Sequence, residues 1–191
     1  MNIERKKANL ILGMVLSITF LITSIALAGG LKAVKKYPIP EHGTLELNVL
    51  TSWRGDIHKP QENLPPTIIF GPTKGNDFQV LITVLWDNVG EPDFNSPEKV
   101  RALVEIDGKN ILPKAVETKI VLREIRGPNN TGYFFSLTDK AHKPGEFRYM
   151  TRGGMTVGNL FLNVTILHRV KESESVKEAL FMLREARQSA K

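Results

Sequence analysis

With no cysteine in the chain, His42, His58, His142 and His168 are the natural candidates for acid–base work or metal ligation. No two of them stand in a His-x-His or His-Glu-x-x-His spacing, and no carboxylates are spaced around them as ligands. They read as surface or strand-end side chains. Nucleophilic chemistry lacks its setting too, because there is no thiolate and no Gly-x-Ser-x-Gly elbow. Gly71-Pro72-Thr73-Lys74-Gly75 lacks the Gly-Lys-Ser/Thr ending and the following helix of a phosphate loop. Gly153-Gly154 has no dinucleotide spacing, so both segments read as turn or bulge glycines. The expectation is a chain with no catalytic residue, no cofactor and no resident metal.

Recognition chemistry is better represented. Thr51–Pro66 reads as a long, proline-bearing loop that gathers Trp53, Arg54, Asp56, His58 and Lys59. Trp beside Arg is a frequent pair at binding hot spots, and the alternative is that Trp53 folds back to plug one end of the core. The tripeptide Arg54-Gly55-Asp56 matches an adhesion motif, but Gly-Asp is also ordinary turn chemistry. A second segment, Asp139–Glu146, places Lys140, His142 and Lys143 together, followed by Arg148 and Arg152. It reads as a basic hairpin tip that suits an acidic partner or an anionic headgroup, or else as a solvated turn. Trp86-Asp87, at the end of a strand, can line a cleft with the loop Asn88–Asn95.

The first 28 residues bear on where such binding takes place. Arg5, Lys6 and Lys7 precede an apolar run over Leu10–Ile25, and Ala26-Leu27-Ala28 offers a small-x-small cleavage site. That order is a secretory signal, with an uncleaved anchor as the alternative. Either way the domain is expected in the periplasm or beyond, with membrane contact only through this segment where it is not cleaved. The absence of a cysteine after it argues against a lipid anchor. Cleavage after Ala28 leaves 163 residues, enough for one core. The formal charge is +6, and removing the three basic residues and one acid of the signal leaves +4. That mild, dispersed excess is no nucleic-acid stripe.

Residues 29–43 read as an extended lead-in and 44–191 as a single domain. Thr44–Leu50 alternates as a half-buried strand, and Thr67–Phe70 is a short one. Phe78–Trp86 is apolar on both faces and is expected in the centre of the sheet, covered on both sides. Ser96-Pro97-Glu98 opens a helix that Asp107-Gly108 weakens and Pro113 ends. Four strands follow, Lys119–Ile125, Gly132–Thr138, Phe147–Val157 and Leu160–Leu167, the last two joined by a tight turn at Gly158-Asn159. A second helix opens at Ser175-Val176-Lys177-Glu178 with capping-box spacing and runs toward Arg187. The order βββ–α–ββββ–α, with hairpin-length connections, gives an α+β domain. Its sheet of six to seven mostly antiparallel strands has a helix on each face.

Three stretches carry a family likeness: Leu45-Glu46-Leu47 leading to Trp53, Gly132-Tyr133-Phe134-Phe135 after the Gly127-Pro128 turn, and Asn159–Thr165 before the last helix. On these the chain resembles the PsbP superfamily, the extrinsic proteins of the oxygen-evolving complex and their bacterial relatives. It also resembles small exported proteobacterial proteins without assigned activity. The resemblance covers Gly43–Ala190 and implies an αβα sandwich that binds or assists assembly without chemistry of its own. No family binding residue transfers position by position. The leading expectation is an exported, non-catalytic binding or assembly-accessory domain that acts on another envelope component, with an envelope protein as the expected partner. A small-ligand carrier with a cleft near Trp53 and Trp86 is the alternative. An enzyme using His58 or His142 as its acid–base group ranks last.

Overall fold

The computed structural model describes residues 30–58, 64–87, 89–91 and 93–189, so the expected signal or anchor over 1–28 and Lys59 lie outside the described residues. Five strands come first: β1 Lys32–Pro38, β2 Thr44–Leu50, β3 Trp53–His58, β4 Thr67–Pro72 and β5 Phe78–Trp86. Helix α1 (Pro97–Ile111) and a 3₁₀ turn (Leu112–Lys114) follow, then β6 Arg123–Arg126, β7 Thr131–Thr138, β8 Tyr149–Val157 and β9 Leu160–His168. Helix α2 (Glu174–Arg184) and β10 Arg187–Ser189 close the chain. Seven strands form an antiparallel sheet in the order β3-β4-β5-β9-β8-β7-β6, and β1-β2-β10 form a second, smaller sheet.

The register explains what covers each face. Strand pairing lines up Phe134, Gly153, Val164, Ile82 and Ile68 in one row across the large sheet, with Gly132, Met155, Leu162 and Val84 in the next. These rows are buried beneath Leu45, Leu47 and Val49 of β2 and Ala179, Met182 and Leu183 of α2. On the opposite face Phe135, Leu137 and Phe161 pack against Val100 and Val104 of α1. The fold is therefore α+β, with a helix on each face of the sheet, as the sequence leads one to expect.

Several expectations are corrected. The lead-in is partly a strand, because Lys32–Pro38 pairs with β2 along its whole length. The loop Thr51–Pro66 contains β3, an edge strand paired with β4. Gly55 therefore sits in a strand rather than a turn, and a Cβ there would lie 2.6 Å from the Phe70 ring. Lys119–Ile125 is mostly irregular, and only Arg123–Arg126 forms a strand. Gly108 does not interrupt α1; it is buried where Ile120 packs against the helix. The second helix starts earlier than expected, after Ser173, which makes no side-chain cap bond, so there is no capping box. The chain then turns into β10 instead of extending the helix. Finally, β5 is interior, but only its Phe78, Val80, Ile82 and Val84 face is buried. Gln79, Leu81, Thr83 and Leu85 are half-buried, because α1 lies over β7 and β8 instead.

The Gln188 side chain of β10 fastens the two sheets at one end. It accepts from Asn159 N (2.8 Å), and its amide donates to Asn159 Oδ1 and His42 O (2.5 and 2.7 Å). Gly158 in that hairpin has φ 59°, and a Cβ there would fall 2.2 Å from Gln188 Oε1. The turn needs glycine for both reasons.

Candidate functional site

The uncovered part of the large sheet holds a groove of about 500 Å³. Its position follows from strand alternation. In β3, Gly55 faces the core beneath Phe70, so Arg54 and Asp56 face the other way beside Gly71 and Ile69 of β4. Those two charges make one wall, and Ile69, Gly71 and Gln79 belong to the floor. The opposite wall comes from the far hairpin, through Gly145 and Phe147.

Arg169, which the sequence reading passed over, fixes the wall formed by the hairpin tip. Its guanidinium donates to Gly145 O (2.7 Å), Glu146 O (3.0 Å) and Asn76 O (3.1 Å) and lies over the Phe147 ring, 5.0 Å from its centroid. Charge-assisted bonds to three carbonyls tie the hairpin tip to the β4–β5 turn. All three acceptors are backbone atoms, so no side-chain pattern announced the contact. Arg54 makes no ion pair or side-chain hydrogen bond among the described residues and is exposed, so its fork is free for a ligand.

The remaining candidates are dispersed. Trp53 is 8% exposed and packs on Phe78 and Phe70, with ring centroids 4.8 and 6.3 Å away. Trp86 lies against His42 at the other end of β5, the two rings tilted by 32°. Eight strand steps of ~3.3 Å separate Phe78 from Trp86, so the two tryptophans do not share a cleft. His58 ends β3, exposed. Lys140 donates to Pro113 O (3.1 Å), Lys143 N to Glu146 Oε2 (3.0 Å), and Arg148 lies over the Tyr149 ring. His142 is exposed at the tip. Arg152 is not part of the tip: it pairs with Asp107 of α1 (2.5 Å) and donates to Thr165 Oγ1 (3.1 Å), which clips the helix to the sheet. Gly153 and Gly154 are neither turn nor bulge residues but lie inside β8.

Sequence reasoning also missed a second recess, of about 360 Å³. On the α2 side of the sheet the rows turn polar toward one end, through Ser136–Thr151 and then Thr138–Tyr149–His168. The first turn of α2 stands beside this end and Arg123 of β6 borders it. His168 is 3% exposed and stacks on Tyr149, with centroids 5.6 Å apart. Its Nδ1 is 2.7 Å from Val170 O, and Nε2 is buried with no partner among the described residues. Burial pushes the imidazole below its ordinary value, only partly offset by the Val170 bond. At Glu117 burial pushes the carboxyl up, but hydrogen bonds from the Thr138 amide and hydroxyl (both 2.8 Å) outweigh it and hold the group below its usual range.

A pH dependence follows from His168. The native ring stays neutral while the unfolded ring, with an ordinary value of 6.5, takes up a proton, so the unfolded state binds more protons below that pH. Unfolding free energy measured in urea is expected to fall as the pH drops below about 6.5. A His168→Phe variant is expected to lose that slope. Glu117 acts in the same direction at lower pH, because its depressed value likewise favours the deprotonated native state, which for a carboxyl is the ionised one.

Among the described residues no helix is long and apolar enough to cross a membrane, and no cluster of three or more His, Asp or Glu could hold a metal ion. No family model and no curated protein matches the chain. The solved structures similar to it include one determined in solution and one in a crystal. The solution structure of cyanobacterial PsbP (CyanoP) from Synechocystis sp. PCC 6803 is similar over 88% of this chain and 99% of its own, at 10% identity and a TM-score of 0.48. A crystal structure from Bacteroides thetaiotaomicron VPI-5482 is similar over 82% of this chain and 49% of its own, at 12% identity and a TM-score of 0.40. The family named on sequence grounds is thus that of the first of these structures, and at such values the likeness carries nothing about function.

Proposed function

We propose that this is a non-catalytic binding domain that works outside the cytoplasm and engages another envelope protein through the groove between β3 and the hairpin tip. One observation carries the reading. Two segments far apart in sequence, β3 through Arg54 and Asp56 and the hairpin tip through Gly145 and Phe147, line one recess, and Arg169 fixes the tip against the β4–β5 turn. The groove offers a free guanidinium at Arg54, a carboxylate at Asp56 and an aromatic ring at Phe147. It runs beside β3, an edge strand of the large sheet. An extended polypeptide segment suits that setting, because an edge supplies main-chain hydrogen bonds and alternate side chains reach the floor. The basic, apolar and small-residue succession over Arg5–Ala28 supports export.

The test is site-specific photocrosslinking of the full-length protein in cells of its source. A photoreactive residue at Arg54 or at Phe147 is expected to capture the same envelope protein, while one at Glu124 on the opposite edge strand captures none. Arg169→Ala, which frees the tip, is expected to lower the yield about tenfold, as loss of a binding hot spot does. Equal capture from Glu124, or no adduct from the groove positions, overturns the proposal. So does a turnover that a single side-chain substitution abolishes.

A further inference from the structure

We infer that the recess beside His168 is a second binding site, for a small hydroxylated anion such as a hydroxy acid, a sugar acid or a sugar phosphate. The ligand class follows from what each end of the recess lacks. A carbonyl can only accept, so Val170 O fixes the proton on Nδ1 of the His168 ring. In the neutral ring Nε2 is then an acceptor, buried and without a donor. A buried polar atom left unpaired is costly, and a ligand hydroxyl supplies the missing proton. The neighbouring surface is already built for hydroxyls: Ser136 Oγ and Thr151 Oγ1 lie 2.8 Å apart, beside Tyr149.

The other end lacks an acceptor. Ser173 is the N-cap of the eleven-residue helix α2, but its hydroxyl is bonded to Ser175 Oγ (2.6 Å) and gives the first-turn amides no side-chain acceptor. Val176 N bonds to Ser173 O (3.1 Å), which leaves the amides of Glu174 and Ser175 without a partner among the described residues, and open amides at the positive end of a helix favour a negative group. Arg123 and Lys171 border the same recess, and neither makes an ion pair or side-chain hydrogen bond among the described residues. Lys177, also at the recess, is paired with Glu174 at 2.8 Å.

Two carboxylates line the recess as well, and they do not cancel this. Both oxygens of Glu117 are engaged by Thr138, and Lys171 lies close enough to act on its charge. Glu172 is exposed at the rim, where water screens it. Arg123 is the cation left to meet an incoming acid group. A ligand with a hydroxyl at one end and an acid at the other satisfies Nε2, the helix terminus and Arg123 together. Neither a neutral sugar nor a bare anion does so.

The experiment follows the His168 ring nitrogens by NMR in the full-length protein during titration with lactate, galacturonate and galactose 1-phosphate. Galactose and sulfate serve as controls. At least one hydroxylated acid is expected to shift Nε2 saturably and to bind about tenfold tighter than either control. Preference between galacturonate and galactose 1-phosphate identifies the acid group as carboxylate or phosphate. Arg123→Gln, an exposed change that spares the core, is expected to weaken binding about tenfold, as loss of a charged hydrogen bond does. His168→Phe keeps the stack on Tyr149 and is expected to abolish binding. Equal affinity for galactose or sulfate overturns the inference, as does no shift with any hydroxylated acid at millimolar concentration. Unchanged binding in Arg123→Gln overturns it too. Photocrosslinking from Arg54 and Phe147 is unaffected by either variant, so this inference and the groove proposal fail separately.

Discussion

Replacing Asn130 by Asp is expected to unseat the C-terminal end of α2 and to cost about 3–5 kcal/mol, the range for a buried charge left without a partner. Asn130 is buried in the turn before β7, and its amide donates to Ala186 O (2.7 Å), Arg184 O (3.1 Å) and Leu183 O (3.4 Å). The last carbonyls of a helix have no partner within it, and here a side chain from a distant turn supplies one. Asp has the same shape and no donor, so its charge would face three carbonyl oxygens. Asn130→Ala removes the bonds without adding a charge and is expected to cost less, about 1–3 kcal/mol. For a chain of this size the Asp variant is expected to melt about 10 °C lower in calorimetry. Acid distinguishes the charge from the lost shape. The substituted carboxyl is expected to hold its proton to unusually high pH, and once protonated it donates again. The deficit relative to the parent therefore shrinks as pH falls through that raised value.

Gly153→Ala is expected to be nearly as damaging, at about 3 kcal/mol, the upper end of the cost of overpacking. A Cβ on Gly153 would lie 2.0 Å from Tyr133 O and 2.7 Å from Phe134 Cδ1. The first is a backbone atom of the adjacent strand, which moves only if the β7–β8 ladder opens. At Gly154 the obstacle is the Phe161 ring, 2.2 Å away, which can swing aside in part. Gly154→Ala is therefore expected to cost less, about 1–2 kcal/mol. The neighbouring glycines let one ring lie on each face of β8, Phe134 toward α2 and Phe161 toward α1. Chemical denaturation of both variants checks the order, and equal costs would mean that the rings alone set the penalty.

Legibility in the sequence depended on whether an element carried its own signal. Strand β5 matches its reading end to end, because four buried residues alternate along it, and α1 begins at Ser96, whose hydroxyl accepts from Lys99 N (3.3 Å) ahead of Pro97. β1, β3 and β10 were missed because none has an alternating buried face: most of their residues are exposed or half-buried, and pairing with a neighbour makes each a strand. The second helix was placed late because Ser175 fits a capping box by spacing, while Ser173 stands at the boundary with no such bond. At the groove, Arg54 and Asp56 were visible as residue types, but the approach of the tip through Gly145 and Phe147 was not, since Arg169 places it by main-chain carbonyls alone. His168 read as a strand-end imidazole and is one; its burial comes from the Tyr149 stack and from α2, which local spacing does not reveal.

The small sheet also sets an order of events. β2 takes β1 on one side and β10 on the other, and Ser189 bonds to Glu46 across 143 residues. A chain delivered with its N-terminus first, from a ribosome or through a membrane pore, presents β2 early with one edge unfilled. That edge stays open until β10 has emerged, and Gln188 arrives only then to fasten the hairpin at Asn159. Such late closure slows folding and leaves an aggregation-prone edge during delivery. β10 thus acts as a latch that shuts only once everything from β2 to β10 has been delivered.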